Sequence, residues 1–506
     1  MKYSNPIIPG FYPDPSICRY KDKYYMVHST FQYFPGVTLF ESDDLINWRQ
    51  IGHVLTRESQ LPLEKAGRSG GIFAPTIRCH DGRFYMVTTN VSAFGNFYVW
   101  TDDIYGEWSD PIVVDQGGID PSLYFEDGKC YFMSNGEDEQ GRSGIIQCEI
   151  DIETGKKLTP GRCIWNGTGG RYLEAPHLYK INGEYYLMAA EGGTEYGHYV
   201  VCAKGKTPYG PFESAPNNPI LTNRNLGGYE IQGCGHGDLV QDNNGNWWMV
   251  HLAFRQIGRW NMFHITGRET CLVPVEFDKD GWPLAGYKGT TLKEVETDKL
   301  PDNFKQNIRK LYTFENTKKG VEWCFMRAPE TSKYNFTGKS VELLGTAKKL
   351  SDDYGSPTFI CIRQCEMQGK VSCKVSVKEQ EGGITLYMDN LHHYDFYIRK
   401  TDEGAFIEKR ISIGDITYVQ KSIPIDAKEA AEAKLTIRFT PFVYVFEAEH
   451  NGKQIEFGTN QTKYLSTEVA EGFTGVMIGL YAQGDGKDCT EPAVFTEFVC
   501  DFSNIE

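Results

Sequence analysis

Three short segments carry acids in matching surroundings: Asp14-Pro15-Ser16, Asp120-Pro121-Ser122 and Glu174-Ala175-Pro176. Each acid is embedded among apolar residues, in FYPDPSI, GGIDPSL and RYLEAPHL. A single Asp before Pro-Ser is accounted for as a turn cap. Two copies of one tripeptide with a comparable Glu ask for more. Paired carboxyl groups are what cleavage of a glycosidic bond requires. One protonates the departing oxygen, and the other activates water or attacks the sugar. A third carboxylate nearby keeps the acid protonated, because like charges resist joint ionisation. The proton is then available near neutral pH.

The acids sit at one place in an internal repeat. Five hairpin-like copies recur: CRYKDKYYMVHST (18–30), RCHDGRFYMVTTN (78–90), YFEDGKCYFMSNG (124–136), YKINGEYYLMAAE (179–191) and VQDNNGNWWMVHL (240–252). Asp-Gly and Asn-Gly suit the tight turns that match strand twist. The copies begin 46 to 61 residues apart, room for a four-stranded sheet each. This pattern predicts a five-bladed β-propeller, in preference to stacked sandwiches or a β-helix. Aligning the copies on Tyr24, Phe84, Cys130, Tyr185 and Trp247 puts Asp14, Ala74, Asp120, Ala175 and Gly237 in one slot. The slot before it holds Pro13, Phe73, Ile119, Glu174 and His236. In a propeller these slots ring the central channel, so three carboxylates and a histidine are expected to converge there.

Beyond the repeats, a charged stretch without strand alternation reads as a linker. Alternation returns in VSCKVSVK (371–378), GITLYMDN (383–390), YDFYIRK (394–400), AKLTIRFT (433–440) and VYVFEAEH (443–450). Regular short strands predict an antiparallel β-sandwich. The chain is thus expected to be all-β: a propeller over 1–295, a linker over 296–308 and a β-sandwich domain over 309–506.

The formal net charge of -15 and the lack of a basic run argue against nucleic acid and leave a neutral oligosaccharide as a compatible partner. No run of about 18 apolar residues exists, so no membrane partner is expected. Pro6, Pro9 and Pro13 interrupt any secretory apolar region near the start. The 14 cysteines form no CxxC pair and read as reduced thiols, which predicts a cytoplasmic protein. The oligomeric state stays open, a homo-oligomer included.

The sequence resembles glycoside hydrolase family 43, the β-xylosidases and α-L-arabinofuranosidases. The resemblance rests on NPIIPGFYPDPSICR (5–19), RSGGIFAPTIR (68–78), GGIDPSLYF (117–125), RYLEAPHLYKINGEYYLMAAEGGTEYGH (171–198), GHGDLVQDNNGNWWMV (235–250) and GRETCLVPVEFDKDGWP (267–283). It implies exo-acting hydrolysis of hemicellulose oligosaccharides with inversion, releasing terminal α-L-arabinofuranose or β-D-xylose. It assigns Asp14 as general base, Glu174 as general acid and Asp120 as the residue that tunes and orients the acid. An inverting pair stands roughly 6.5–9.5 Å apart. Arg268 would contact sugar hydroxyls, and Phe34 and Phe73 would form apolar walls. His236 would bind substrate or ligate an ion in the channel. No cofactor is needed for the chemistry, while a structural calcium in the channel is admitted by the resemblance. The DNNGN turn (242–246) lacks the spacing of a calcium loop. An endo-arabinanase and a non-catalytic carbohydrate-binding propeller remain as alternatives.

Overall fold

A computed structural model describes residues 1–258, 260–305, 310–315 and 320–503. Each repeat forms a four-stranded antiparallel meander, and there are five. Their first strands are Ser16–Tyr20, Thr76–His80, Ser122–Glu126, Glu174–Ile181 and Ile231–Gln241. Each first strand contacts those of the two adjacent blades, closing a ring around the axis. In the turns, Asp81-Gly82, Asp127-Gly128 and Asn182-Gly183 all have positive φ, as two-residue type I′ turns demand.

The aromatic pairs that mark the repeat have a packing reason. Successive strand residues point to opposite faces. Tyr24 therefore joins the core between blades 5 and 1, and Tyr25 the core between blades 1 and 2. Phe84 and Tyr85 split in the same way, facing blades 1 and 3 respectively. Tyr185 and Tyr186 face blades 3 and 5. Five interblade cores result, each made by two neighbours. The circle is closed through the N-terminal segment: Lys2–Ser4 pairs with Glu294–Glu296, and the Asn5 amide bonds both backbone groups of Leu272 at 3.0 and 2.9 Å. Residues up to 296 thus still belong to the propeller. The end of the expected linker, 306–308, and the sandwich limits 309 and 504–506 lie outside the described residues.

From Leu311 the chain builds two eight-stranded antiparallel sheets packed over one large apolar core. One sheet runs in the order Ile416–Ile425, Gly404–Ile413, His392–Thr401, Gln380–Asp389, Met477–Gln483, Thr358–Arg363, Cys324–Met326, and its eighth strand is Tyr33–Phe34 from blade 1. The outer face of this sheet docks on the propeller. Phe11, Phe31 and Tyr33 meet Met326, Phe359, Tyr387, Met477 and Tyr481 there in a shared apolar cluster.

Candidate active site

The first strands converge on a buried polar ring. Each carries one extra residue near its start. In blade 1, Ser16 pairs with Val27, yet the Ser29 N–H bonds Pro13 O, a bulge of one residue at Asp14. The same shift occurs between Glu174 and His177 and between Gly235 and Asp238. The bulged residues Asp14, Asp120, Ala175 and His236 have φ of 54°, 54°, 54° and 51°. Left-handed backbone at non-glycine residues is a strain that concentrates at functional sites, and bulges re-aim side chains.

This register corrects the alignment of the fifth repeat. His236 occupies the slot of Asp14 and Asp120, not that of Glu174. The cause is the turn: Asp242 N–H bonds Asn246 O across three residues, where the other blades use two. One inserted residue displaces everything upstream. The Asp242 carboxylate is consumed within that turn, accepting from Asn244 N, Asn246 N, Asn246 Nδ2 and Trp248 Nε1 at 2.8–3.0 Å.

Two residues beyond each bulge lies a stitching position. Ser122 Oγ donates to Pro176 O at 2.5 Å and Thr76 Oγ1 to Pro121 O at 2.8 Å. Ser16 Oγ donates to Asp238 Oδ2 at 2.6 Å. In each Asp-Pro-Ser unit the Asp thus faces the site while the Ser ties blades together. Below the site, Arg78 grips Asp238 with two bonds of 2.8 and 3.0 Å and bonds His177 Nδ1 at 3.0 Å. Arg78 and Asp238 were not singled out by sequence reasoning.

Asp14, Asp120, Glu174, Phe73, His236 and Arg268 line one pocket of about 60 Å³. Asp14 is buried, with Arg268 NH1 at 2.9 Å from Oδ1 and Ser29 Oγ donating to Oδ2 at 2.5 Å. Burial raises its pKa, but Arg268, His236 and the Ser29 hydroxyl outweigh that and hold it below the usual carboxylate value. Glu174 behaves oppositely. Burial and then the Asp14 charge push it up to about 7, against the opposing pull of Arg268. Asp120 is also raised well above a normal Asp, by burial and then by Glu174 and Asp14. The pocket therefore holds one carboxyl group biased toward its ionised form and two whose pKa values are raised.

Arg268 is itself buried. It donates to Thr194 Oγ1 at 2.9 Å and to Phe473 O at 3.3 Å, and its Nε has no protein partner. His236 Nδ1 lies 3.6 Å from Asp14 Oδ1. Burial lowers the His236 pKa, opposed by Asp14, so its ring is neutral near pH 7. His198 lines the same pocket, and a side chain at Gly235 would come within 2.2 Å of its ring.

The donors around His236 do not suit calcium, which takes six to eight oxygens. Asp14 is engaged by Arg268 and Ser29, and Asp238 by Arg78 and Ser16. Among the described residues no group of three His, Cys, Asp or Glu side chains is placed to hold a metal.

The apolar wall differs from expectation in one residue. Phe73 lines the pocket, but Phe34 does not. Phe34 lies in the strand that pairs with Cys324–Met326 and packs against the core between blades 1 and 2. Its place is taken by Phe31, whose φ of 49° turns the chain just before that strand. The third wall is Phe473, from the sandwich domain. Phe31 stacks on Phe473 at 5.7 Å, and Phe73 meets both edge-on at 5.3 and 5.8 Å. Thr194 and His198 fall inside the EGGTEYGH segment, which the sequence marked without resolving its members. Phe473 stands in a loop with no local signal.

A model for glycosyl hydrolases family 43 matches residues 3–283, and one for a beta xylosidase C-terminal concanavalin A-like domain matches 312–500. The chain belongs to glycoside hydrolase family 43 and is a glycoside hydrolase. It is 40% identical to a non-reducing end alpha-L-arabinofuranosidase of Bacteroides ovatus, covering 98% of this chain and 94% of that one. A xylosidase/arabinosidase of Butyrivibrio fibrisolvens is 37% identical over 99% and 98% of the two chains. Among solved structures, a xylan beta-1,4-xylosidase from Bacillus halodurans superposes with a TM-score of 0.90 at 30% identity, covering 98% of this chain and 99% of that one.

Proposed function

We propose that the protein removes single terminal α-L-arabinofuranose or β-D-xylose units from hemicellulose oligosaccharides, with inversion at the anomeric carbon. The observation that carries this reading is the pocket itself: small, walled on one side by Phe473 of the second domain, and lined by carboxyl groups whose pKa values are shifted in opposite directions. A pocket of about 60 Å³ favours the end of a chain over its middle. Relatives named for both sugars support either as the terminal unit.

In this reading Asp14 is the general base. Arg268 and Ser29 keep it ionised and aimed at a water molecule, which loses a proton to Asp14 as its oxygen attacks the anomeric carbon. Glu174 is the general acid and passes its proton to the departing glycosidic oxygen. Asp120, whose own pKa is raised by burial, Glu174 and Asp14, lines the pocket beside Glu174 and orients it. Arg268 Nε and neutral His236 are positioned to bond sugar hydroxyls, and Phe31, Phe73 and Phe473 exclude water around the ring. The 14 unpaired cysteines support a reducing compartment, where short imported oligosaccharides would be the substrate. The test is release of 4-nitrophenol from aryl α-L-arabinofuranoside and β-D-xyloside, with NMR of the first-formed sugar. Release of neither, or a product that retains configuration, would overturn the reading.

A further inference from the structure

A polar cleft lies away from the carboxylates, on the outer face of the sandwich sheet that docks on the propeller. Its volume is about 450 Å³, against about 60 Å³ at the active site. That is within the range of about 300–1,000 Å³ typical of ligand pockets. The apolar cluster shared with the propeller covers one part of this face. The remainder carries a polar floor in an otherwise continuous sheet.

The floor is built from charges that neutralise one another. Arg410 is held by Glu381 through NH2 at 2.8 Å and NH1 at 3.2 Å, and by Asp395 through Nε at 2.8 Å. Arg399 makes a two-bonded pair with Glu408 at 2.9 and 3.1 Å. Asp395 also takes His393 Nδ1 at 2.8 Å. The other ring nitrogen, Nε2, is buried, lies in a residue lining the cleft and has no partner. His393 is 2% exposed. A buried polar atom left without a hydrogen bond costs about 1–3 kcal/mol, so this atom marks a place for a ligand group.

The chemistry of the floor selects that ligand. Each guanidinium is already matched by a carboxylate, and Lys349 lies 3.5 Å from Asp485, so an anion would meet Glu381 and Glu408 without a free cation. A bare cation would meet Arg399, Arg410 and the imidazole. A neutral hydroxyl both donates and accepts, and so satisfies His393 Nε2 whichever way the imidazole protons are arranged. We infer that this cleft is a second carbohydrate site, taking a neutral oligosaccharide of several sugar units away from the catalytic pocket. The choice of hemicellulose fragments as its ligand rests on the function proposed above.

The test uses the full chain with Glu174→Gln, to prevent turnover, titrated with xylohexaose by calorimetry while excess xylose or arabinose fills the catalytic pocket. A binding event should persist under that competition. It should weaken at least about tenfold when Val419→Trp, at a cleft residue that is 43% exposed, narrows the cleft. Thr417→Arg gives a second, independent block at an exposed position. In the Glu174 background both variants should hydrolyse aryl glycosides at the unmodified rate, which shows that they fold. No binding under competition, binding unchanged in both variants, or binding only of oligosaccharides bearing uronic acid would overturn the proposal. Loss of aryl glycoside hydrolysis by the unmodified protein would instead count against the catalytic reading.

Discussion

Arg268 is the residue whose removal separates two views of the pocket. It can be a sugar-binding group, or it can be the group that keeps Asp14 ionised, or both. Its guanidinium lies 2.9 Å from Asp14 Oδ1 with both side chains buried. Replacing it in Arg268→Met leaves a buried carboxylate without its cation. Breaking such a pair typically costs about 3–5 kcal/mol. That loss of stability is read from the urea midpoint, and kcat/KM should fall as well because Asp14 is no longer held ionised. The pH profile carries the discriminating information. Asp14 must be ionised to take a proton, and its pKa now lies below the ordinary value of 3.8. Without Arg268 its opposition to burial is lost, so that pKa rises. The low-pH limb of kcat/KM should therefore move to higher pH, and activity at pH 5 should fall more than activity at pH 7. Initial rates on an aryl glycoside from pH 3 to 9 measure this. A uniform rise in KM with an unmoved acid limb would refute the electrostatic role and leave only sugar contact.

Three further outcomes follow from the same geometry. With Glu174 pushed up to about 7, activity should decline as pH rises through that value, since the acid is then lost. Glu174→Gln should remove that limb and cost far more with alkyl or sugar leaving groups than with nitrophenol, as leaving-group kinetics would record. Phe473→Ala removes two ring contacts worth about 0.5–1.5 kcal/mol each. The lost contacts should lower the thermal midpoint by roughly a few degrees, and KM should rise with kcat little changed. Arg78→Met uncouples the ion pair to Asp238 beneath the site, which should destabilise the fold by about 3–5 kcal/mol, read from the urea midpoint.

What the sequence disclosed depended on whether a signal was local. Blade number was legible because every blade repeats the same turn and the same pair of aromatic residues, and each needs them for two interblade cores. Asp14, Asp120 and Glu174 were legible because acids in apolar strands stand out against that repeat. His236 was found but misplaced by one position, because counting back through a longer turn carries the error into the strand. Phe34 came from the family resemblance, and only its pairing with Cys324–Met326 shows that this ring turns away while Phe31 lines the pocket. Phe473 and the cleft around His393 were out of reach. They arise from the docking of two domains and from the alignment of five strands on one sheet face, and neither leaves a trace in neighbouring residues.

The strand Tyr33–Phe34 has a consequence for how the molecule comes into being. It lies in the first blade to be synthesised, yet it completes a sheet whose other members begin at Cys324. Phe31, two residues before it, stacks on Phe473. An emerging chain can assemble its ring of blades and still lack the finished pocket until Phe473 has been made and docked. Contacts spanning such distances along the chain form late, and large proteins mature domain by domain. Catalytic competence should then arrive after the propeller has formed, once the second domain has docked on it. A nascent chain released early would carry its acids in place but in an unsheltered cleft.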